Sequence, residues 1–244
     1  MRKSFGLLIA GISLIVLGIV ICIVSVTAMG FRFDNLDTQN FVTTEFDALE
    51  EFRDIKVHLV NENLVIKPSD GEECRVVFYN AEDARCTCTV TDGELSLESH
   101  ASRETGFGAV VIQMQSPQVT IYLPKGEYGK LTMESTAGEV EFLEGFSFET
   151  VNIHLSAGDA ELEGVTALKK ISVETNLGDI ELDKCDAPEI FLKTNNGDIS
   201  GTLLTGKKFD VHASVGSIEV PKDDASGGTC EIHTNFGDVE IEIK

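Results

Sequence analysis

The stretch "ISVETNLGDIELD" (171–183) decides the fold, because the chain repeats its pattern six times. A second clear copy is "CEIHTNFGDVEIEI" (230–243), and four further units carry substitutions. One glycine marks each unit, at spacings of 20, 20, 19, 19 and 21 residues: Gly138, Gly158, Gly178, Gly197, Gly216 and Gly237. A near-constant period of about twenty residues indicates a repeat architecture built from one supersecondary unit. The regular repeats span 131–244.

Apolar residues alternate within each unit on both sides of the glycine, which is the signature of β-strands. In the quoted unit, Ile171, Val173 and Thr175 occupy inward positions before the glycine, and Ile180 and Leu182 do so after it. The glycine separates two short strands, at a bend where a positive φ costs least. The six aligned glycines are therefore predicted to be structural turn residues.

Two short strands and two bends per unit match one coil of a β-solenoid, in which stacked coils bury one another's apolar faces. We expect an all-β fold, a single-chain β-solenoid with coils of about 20 residues. The alternative is an antiparallel β-sandwich or meander, because hairpins also favour Asn-X-Gly-Asp turns. An earlier, degenerate unit places Cys86, Cys88 and Val90 before Gly93 in the same frame.

The N-terminal part has a different composition. Residues 5–29 carry no charged side chain, and a bilayer-spanning helix takes about 20 apolar residues. Arg2 and Lys3 precede them, so the positive-inside rule places the N-terminus in the cytoplasm and the rest outside. A cleaved signal peptide is the alternative, although its apolar core is shorter, about 7–15 residues. We expect a single-pass cell-membrane protein with three parts: a transmembrane anchor (1–30), a linker (31–50) and a β-strand-repeat ectodomain (51–244).

Charge and cysteine content exclude several classes of protein. The formal net charge is −22, which argues against nucleic-acid binding because phosphate contacts need clustered Lys and Arg. Five of the six cysteines follow the apolar segment; an odd number cannot all pair within one chain, and zinc-type spacing is absent. We expect these cysteines to be buried and mostly reduced.

If the coils stack in register, the residues after each glycine form two outward acidic columns. The first column follows the glycine by one residue: Glu139, Asp159, Asp179, Asp198, Ser217 and Asp238. The second follows it by three: Glu141, Glu161, Glu181, Ser200, Glu219 and Glu240. Such columns attract cations, and hard oxygen ligands suit calcium. The candidate metal ligands are Asp159, Asp179, Asp198, Glu161 and Glu181. The alternative is a solvated face that blocks unwanted strand pairing, with the aspartates accepting turn N–H groups.

A third outward column, four residues before the glycine, holds His154, His212 and His233. A proton- or metal-sensing role is weighed there against an exposed, inert stripe. The sequence contains no nucleophile elbow, P-loop, HExxH or dinucleotide motif. It therefore predicts no catalytic residue and no cofactor, and we do not expect an enzyme; a glycan-active enzyme is the less favoured alternative.

The motif T-N-x-G-D-I/V occurs at 175–180, 194–199 and 234–239. Together with the apolar N-terminal segment and the ending "GDVEIEIK", it resembles the bacterial β-strand-repeat family labelled "putative adhesins", also grouped as toastrack domains. The resemblance covers 50–244. It implies a surface or envelope protein, and some members are similar to the anchored protein of Lia-type envelope-stress operons. The partners implied are the membrane, through 5–29, and an envelope protein or cell-wall polymer.

Overall fold

The computed structural model describes residues 17–21, 24, 41–82, 84–100 and 116–244. The chain divides into two units, the first made of Met1–Asn40 with Thr105–Gln115 and the second of Phe41–Glu104 with Ser116–Lys244. In the first unit, the described residues are helical. No helix within the described part of the chain is long and apolar enough to cross a membrane. The anchor expected over 5–29 falls largely outside the described residues.

The second unit is built almost entirely of strands. The described residues form β1 (Phe41–Ala48), β2 (Asp54–Leu59), β3 (Asn63–Pro68), β4 (Cys74–Ala81), β5 (Arg85–Thr91), β6 (Glu94–His100), β7 (Gln118–Leu123), β8 (Glu127–Ser135), β9 (Val140–Phe142), β10 (Ser147–Leu155), β11 (Ala160–Glu163), β12 (Thr166–Thr175), β13 (Ile180–Cys185), β14 (Glu189–Asn196), β15 (Ile199–Leu203), β16 (Lys208–Val215), β17 (Ile218–Glu219), β18 (Thr229–Phe236) and β19 (Val239–Ile243).

These strands form two sheets. Sheet A has the order β1-β4-β7-β3-β9-β11-β13-β15-β19-β17, and sheet B has the order β16-β18-β14-β12-β10-β8-β2-β6-β5. From β8 onward each unit contributes one strand to sheet B and the next to sheet A, and neighbouring units pair parallel and in register. We call the two strands of one unit, one in each sheet, a rung. The all-β, solenoid-like prediction is confirmed.

The core lies between the two sheets, where the alternation predicted it. Ile171, Val173, Ile180 and Leu182 have no exposed surface, and Thr175 is 3% exposed. Burying an aliphatic side chain of this size contributes about 1.5–3 kcal/mol. A single rung covers only one side of each side chain, so the neighbouring rungs supply the rest of the burial.

The N-terminal end departs from the repeat. Asp92 and Gly93 both have positive φ, 52° and 80°, and they join β5 to β6 as an antiparallel hairpin within sheet B. Positive φ at both central residues favours such tight hairpin turns. The unit around Gly93 is therefore a hairpin within one sheet and not a coil shared by both sheets, although Cys86, Cys88 and Val90 pack against the core as their positions in the frame predicted. Antiparallel pairing among the described strands is confined to this end, at β1–β4, β4–β7 and β5–β6.

Strand β1 lies inside the stretch 31–50 that we expected to be a linker. It pairs with β4 over its whole length, at the outer edge of sheet A. Most of its side chains are exposed, and only Phe46 and Ala48 at its end pack in or against the core. The hydrophobic alternation therefore carries no signal for this strand.

The C-terminal end does not stack in chain order. The rung β18–β19 lies between the rungs β14–β15 and β16–β17 in both sheets. The outermost rung, β16–β17, comes first in the sequence. Residues 220–228 then lead back to β18–β19, which lies between it and β14–β15. All rungs share one inward pattern, so the alternation alone does not reveal this order.

Candidate functional site

The aspartates after the turn glycines form a hydrogen-bonded ladder. The carboxylate of Asp159 accepts the backbone N–H of Asp179 at 2.7 Å, and Asp179 accepts that of Asp198 at 2.7 Å. Asp198 accepts the N–H of Asp238 at 2.7 Å. Asp238 ends the ladder by accepting the N–H of Ser217 at 2.7 Å and its hydroxyl at 2.9 Å. Each carboxylate therefore holds the turn of the neighbouring rung.

The threonine and asparagine of the T-N-x-G-D motif form parallel ladders. The Thr194 hydroxyl donates to the carbonyl of Gly178 at 3.0 Å, and Thr175 does the same to Gly158 at 3.2 Å. The Asn195 amide donates to the side chain of Asn176 at 2.9 Å. Each polar residue of the motif thus bonds across rungs, which explains why the motif recurs.

The turn glycines stack backbone on backbone. All six have φ between 120° and 154°, a region that side chains rarely adopt. A Cβ placed on Gly178 would lie 2.2 Å from the carbonyl oxygen of Gly158, and one on Gly197 would lie 2.0 Å from that of Gly178. Both the backbone angle and the close approach therefore require glycine.

The second acidic column is in register but lacks this ladder. Glu161 pairs side by side with Glu141 and Glu181 on the adjacent strands. Partial burial raises the pKa of Glu161, and the negative charges of Glu141, Glu181, Glu139 and Asp159 raise it further. The carboxylates at the centre of this column therefore repel one another.

The candidate metal ligands fall into these two columns. Asp159, Asp179 and Asp198 use one carboxylate oxygen each to bind a neighbouring N–H. Within the described residues, no group of three or more His, Cys, Asp or Glu side chains is arranged to hold a metal ion. The ladder accounts for the acid after the glycine without a cation.

In the third outward column, carboxylate side chains alternate with histidine or lysine side chains along most of sheet B. His58 lies 3.5 Å from Glu134, and the rings of His212 and His233 stack at 5.2 Å. The sequence did not predict Glu98 and His58 as members of this column, because their strands lack the glycine turn that marks each repeat. Along the stack the column reads Glu98, His58, Glu134, His154, Glu174, Lys193, His233 and His212.

The outer face of sheet A is divided by charge. At its N-terminal half, the Lys67 ammonium and the Arg75 guanidinium lie 4.7 and 4.5 Å from the centre of the Tyr122 ring, which is cation–π geometry. The C-terminal half of the same face carries a carboxylate on five of its six strands, with Ser200 of β15 between Glu181 and Glu240: Glu141, Glu161, Glu181, Glu240 and Glu219. The outer face of sheet A thus carries a cation–aromatic cluster between two acidic stretches, because Glu45 and Asp47 of β1 lie beside β4 on its other side, with Asp47 opposite Arg75.

A buried carboxylate that the sequence did not signal closes the N-terminal turns. Glu62 is 2% exposed and accepts bonds from the Asn80 amide and the Ser99 hydroxyl, each at 2.6 Å. The backbone N–H groups of Val60 and Asn61 also donate to it, each at 3.1 Å. Because its lone pairs are occupied by donors, this glutamate has a structural role.

A buried ion pair holds the displaced C-terminal rungs. The Lys207 side chain has no exposed surface, and its ammonium lies 2.5 Å from the Asp186 carboxylate. It also donates to the Thr205 hydroxyl at 2.7 Å and to the Gly227 carbonyl at 2.5 Å. The lysine thereby ties the chain entering β16 to the loop that leads into β18.

The five cysteines of the second unit are free thiols. Burial raises the pKa of Cys74, Cys185 and Cys230 to about 12. It also raises the pKa of Cys88 to about 12 and increases that of Cys86. The thiolate is the reactive form, so these residues are poor nucleophiles at neutral pH.

Comparison with known proteins identifies the family. Among solved structures the chain is similar to a "putative cell adhesion protein" of Clostridium sporogenes, with 15% identity and a TM-score of 0.51 over 83% of this chain and 100% of that one. It is also similar to a "putative adhesin" of Bacteroides fragilis, with 16% identity and a TM-score of 0.49 over 84% and 98% of the two chains. The first likeness shows a shared fold. Comparison with curated proteins found no match. The family model described as Toastrack DUF4097 matches residues 52–244, and the chain belongs to this family.

Proposed function

We propose that the chain is a membrane-anchored, extracytoplasmic envelope protein that acts by binding rather than by catalysis. Residues 5–29 would be the single-pass anchor, with the N-terminus in the cytoplasm. The solenoid would present its faces to an envelope protein or cell-wall polymer, in a role connected with envelope stress. The uncharged N-terminal segment and the name of the Clostridium sporogenes protein support this proposal.

The cation–aromatic cluster on the outer face of sheet A is the observation that carries it. Lys67 and Arg75 are held against the Tyr122 ring, so their charges are fixed in position on a protein of net charge −22. Fixed cations beside an aromatic ring suit an anionic polymer, because little side-chain entropy is lost on binding. The carboxylates on both sides of the cluster, including Glu45 and Asp47 of β1, would repel the same polymer and so confine it to Lys67 and Arg75.

Pull-down from isolated cell envelopes with the full-length chain in detergent micelles tests the binding. We expect anionic wall polymer to be retained at low salt and released at high salt. The double variant Lys67→Glu/Arg75→Glu should retain about tenfold less. The matched control Lys193→Glu/Lys208→Glu changes the same charge on the outer face of sheet B and should bind normally. Equal loss in both variants, or no retention at any salt concentration, would count against the proposal.

The anchor has a separate test. A protease added to intact cells should release a fragment containing the solenoid and leave the N-terminal segment in the membrane fraction. Recovery of the whole solenoid from the cytoplasm would contradict the proposed topology. A panel of polysaccharides should show no turnover with the same preparation.

A further inference from the structure

The C-terminal end of the solenoid exposes a long strand edge. Among the described strands, β16 pairs on one side only, with β18. Its core-facing residues Phe209, Val211 and Ala213 are only partly buried, whereas Ile232 in the adjacent rung has no exposed surface. Val215, at the end of the strand, is 58% exposed. Among the described residues, the outermost rung therefore has the core pattern with no further rung stacked on it, and its edge makes one contact with the following loop, where the Phe209 N–H donates to the Asp223 carboxylate at 3.1 Å.

The two ends of the solenoid differ in shape. At the C-terminal end both sheets finish on the same rung, β16 in sheet B and β17 in sheet A. At the N-terminal end sheet A extends one strand further, through β1. A flush end leaves the edge of β16 accessible to the same strand of a second copy, whereas at the stepped end β1 projects beyond the edge of sheet B.

We propose that two copies of this chain join end to end through β16, related by a two-fold axis at Val211 and normal to sheet B. The two β16 strands would then pair antiparallel and continue sheet B across the junction, and the Phe209 N–H would exchange the Asp223 carboxylate for the facing strand. Antiparallel pairing already continues this solenoid at its other end, at β4–β7 and β5–β6. The strand geometry of the fold therefore accepts it.

The residues of β16 select the register. A pairing that keeps core-facing residues opposite core-facing residues must centre on a residue and not between two residues, because side chains alternate between faces. Centring on Asp210 sets two carboxylates opposite each other, and centring on His212 sets two histidines opposite each other. Centring on Val211 places each Asp210 opposite the His212 of the other copy.

The core-facing side of the same register is also complementary. It places each Phe209 opposite the Ala213 of the other copy, and Val211 opposite itself. A large residue against a small one fills the space between two edges without a clash. A two-fold junction is closed, so it ends at a dimer instead of growing into a fibre.

Sedimentation velocity of the full-length chain in detergent tests the junction. We expect a reversible dimer. In His212→Asp, Asp210 of each copy faces the new carboxylate of the other copy, which gives two repulsive pairs. This variant should weaken dimerisation about five- to tenfold. The charge swap Asp210→Lys/His212→Asp should restore it. The matched control His154→Asp makes the same change in an inner rung and should leave dimerisation unchanged, with thermal melting showing that every variant folds.

Disulfide trapping tests the register itself. In mild oxidant Val211→Cys should form a covalent dimer, because residue 211 faces its own copy. Asp210→Cys and His212→Cys should not, since each faces itself only in a register shifted by two residues; the unmodified chain controls for its own cysteines. A monomer at all concentrations, an open series of polymers, or trapping at 210 or 212 in place of 211 would overturn the proposal.

Discussion

The carboxylate of Asp179 accepts a hydrogen bond of 2.7 Å from the backbone N–H of Asp198, its counterpart one rung further along the solenoid. The two residues are far apart along the chain and belong to different turns. Their bond satisfies a turn N–H that lies outside the strand ladders. The acid in the T-N-x-G-D motif is therefore a connection between rungs.

The first prediction separates the acceptor from the charge at this position. Asp179→Asn keeps an acceptor oxygen and removes a negative charge from an acidic face, so we expect little change in the free energy of unfolding. Asp179→Ala leaves the Asp198 N–H without its partner and should cost about 1 kcal/mol. Urea unfolding followed by circular dichroism measures both.

The control for this pair is Glu181→Gln and Glu181→Ala, in the second acidic column. These two variants should differ from each other by less than the Asp179 variants do. Added calcium should leave the melting temperature of all four unchanged. A calcium-dependent increase that only the Asp179 variants lose would favour the cation column over the ladder.

The second prediction concerns the glycine stack. Gly178 has φ of 140°, and a Cβ there would lie 2.2 Å from the Gly158 oxygen. Gly178→Ala therefore combines backbone strain with a clash against a rigid backbone, and should destabilise the protein by about 3–4 kcal/mol. Thermal unfolding of the variant and its parent gives the difference.

Gly93→Ala is the matched control. Gly93 also has positive φ, 80°, but nothing lies within 4 Å of an added Cβ. Gly93→Ala should therefore lower the free energy of unfolding only through backbone strain, by about 1–2 kcal/mol. Equal losses for the two alanine variants would show that φ alone, and not the contact between rungs, requires glycine at 178.

The alternation of apolar and polar residues predicted the core, because it follows directly from the burial of one face of each strand. Val173 and Leu182 could be placed inward from their own unit alone. The ladders were not predictable in the same way, since they depend on which rung lies next and at what offset. The sequence offered turn N–H groups as partners of the aspartates, and the structure shows that Asp179 accepts one from the neighbouring turn.

The rung order was hidden for a related reason. Cys230 and Ile232 of β18 fit the same inward positions as Phe209 and Val211 of β16, so either order buries a comparable set. The contacts that fix the order are made by Lys207, which lies between strands and outside the alternation. Buried polar residues in connections carry no periodic signal.

The third prediction follows from the raised pKa of Glu161. Because the fold disfavours its charged form, folding stability falls as pH rises from the ordinary glutamate pKa of 4.5 through the raised folded value. Glu161→Gln should therefore stabilise the protein at neutral pH, and this gain should vanish at pH below the ordinary value. Melting temperatures of variant and parent across pH 3–8 test it; a gain independent of pH would contradict it.

The fourth prediction has the opposite sign. Hydrogen bonds from the backbone N–H and hydroxyl of Ser217 lower the pKa of Asp238 below its ordinary value of 3.8. The stability it contributes is present above that ordinary value and is lost as pH falls through the lowered one. Ser217→Ala removes one donor and should shift the Asp238 pKa upward, as carboxyl chemical shifts in an NMR titration would report. An unchanged pKa would mean that the hydroxyl does not bind the carboxylate.

The fifth prediction concerns the pair that fixes the rung order. Asp186→Ala leaves the buried Lys207 ammonium without its counter-ion and should cost about 3–5 kcal/mol. Lys207→Met fills the same space with an apolar chain and leaves Asp186, whose side chain is 19% exposed, able to reach water. It should therefore cost clearly less, and hydrogen exchange in both variants should increase first in β16–β19.

The double variant Lys207→Met/Asp186→Ala decides whether the two residues act together. Once the ammonium is gone, the missing carboxylate has no buried charge to balance, so the double variant should be more stable than Asp186→Ala alone. The difference between the summed single losses and the double loss measures the coupling. Additive losses, or an increase in exchange spread evenly over all rungs, would show that the pair does not hold the inserted rung in place.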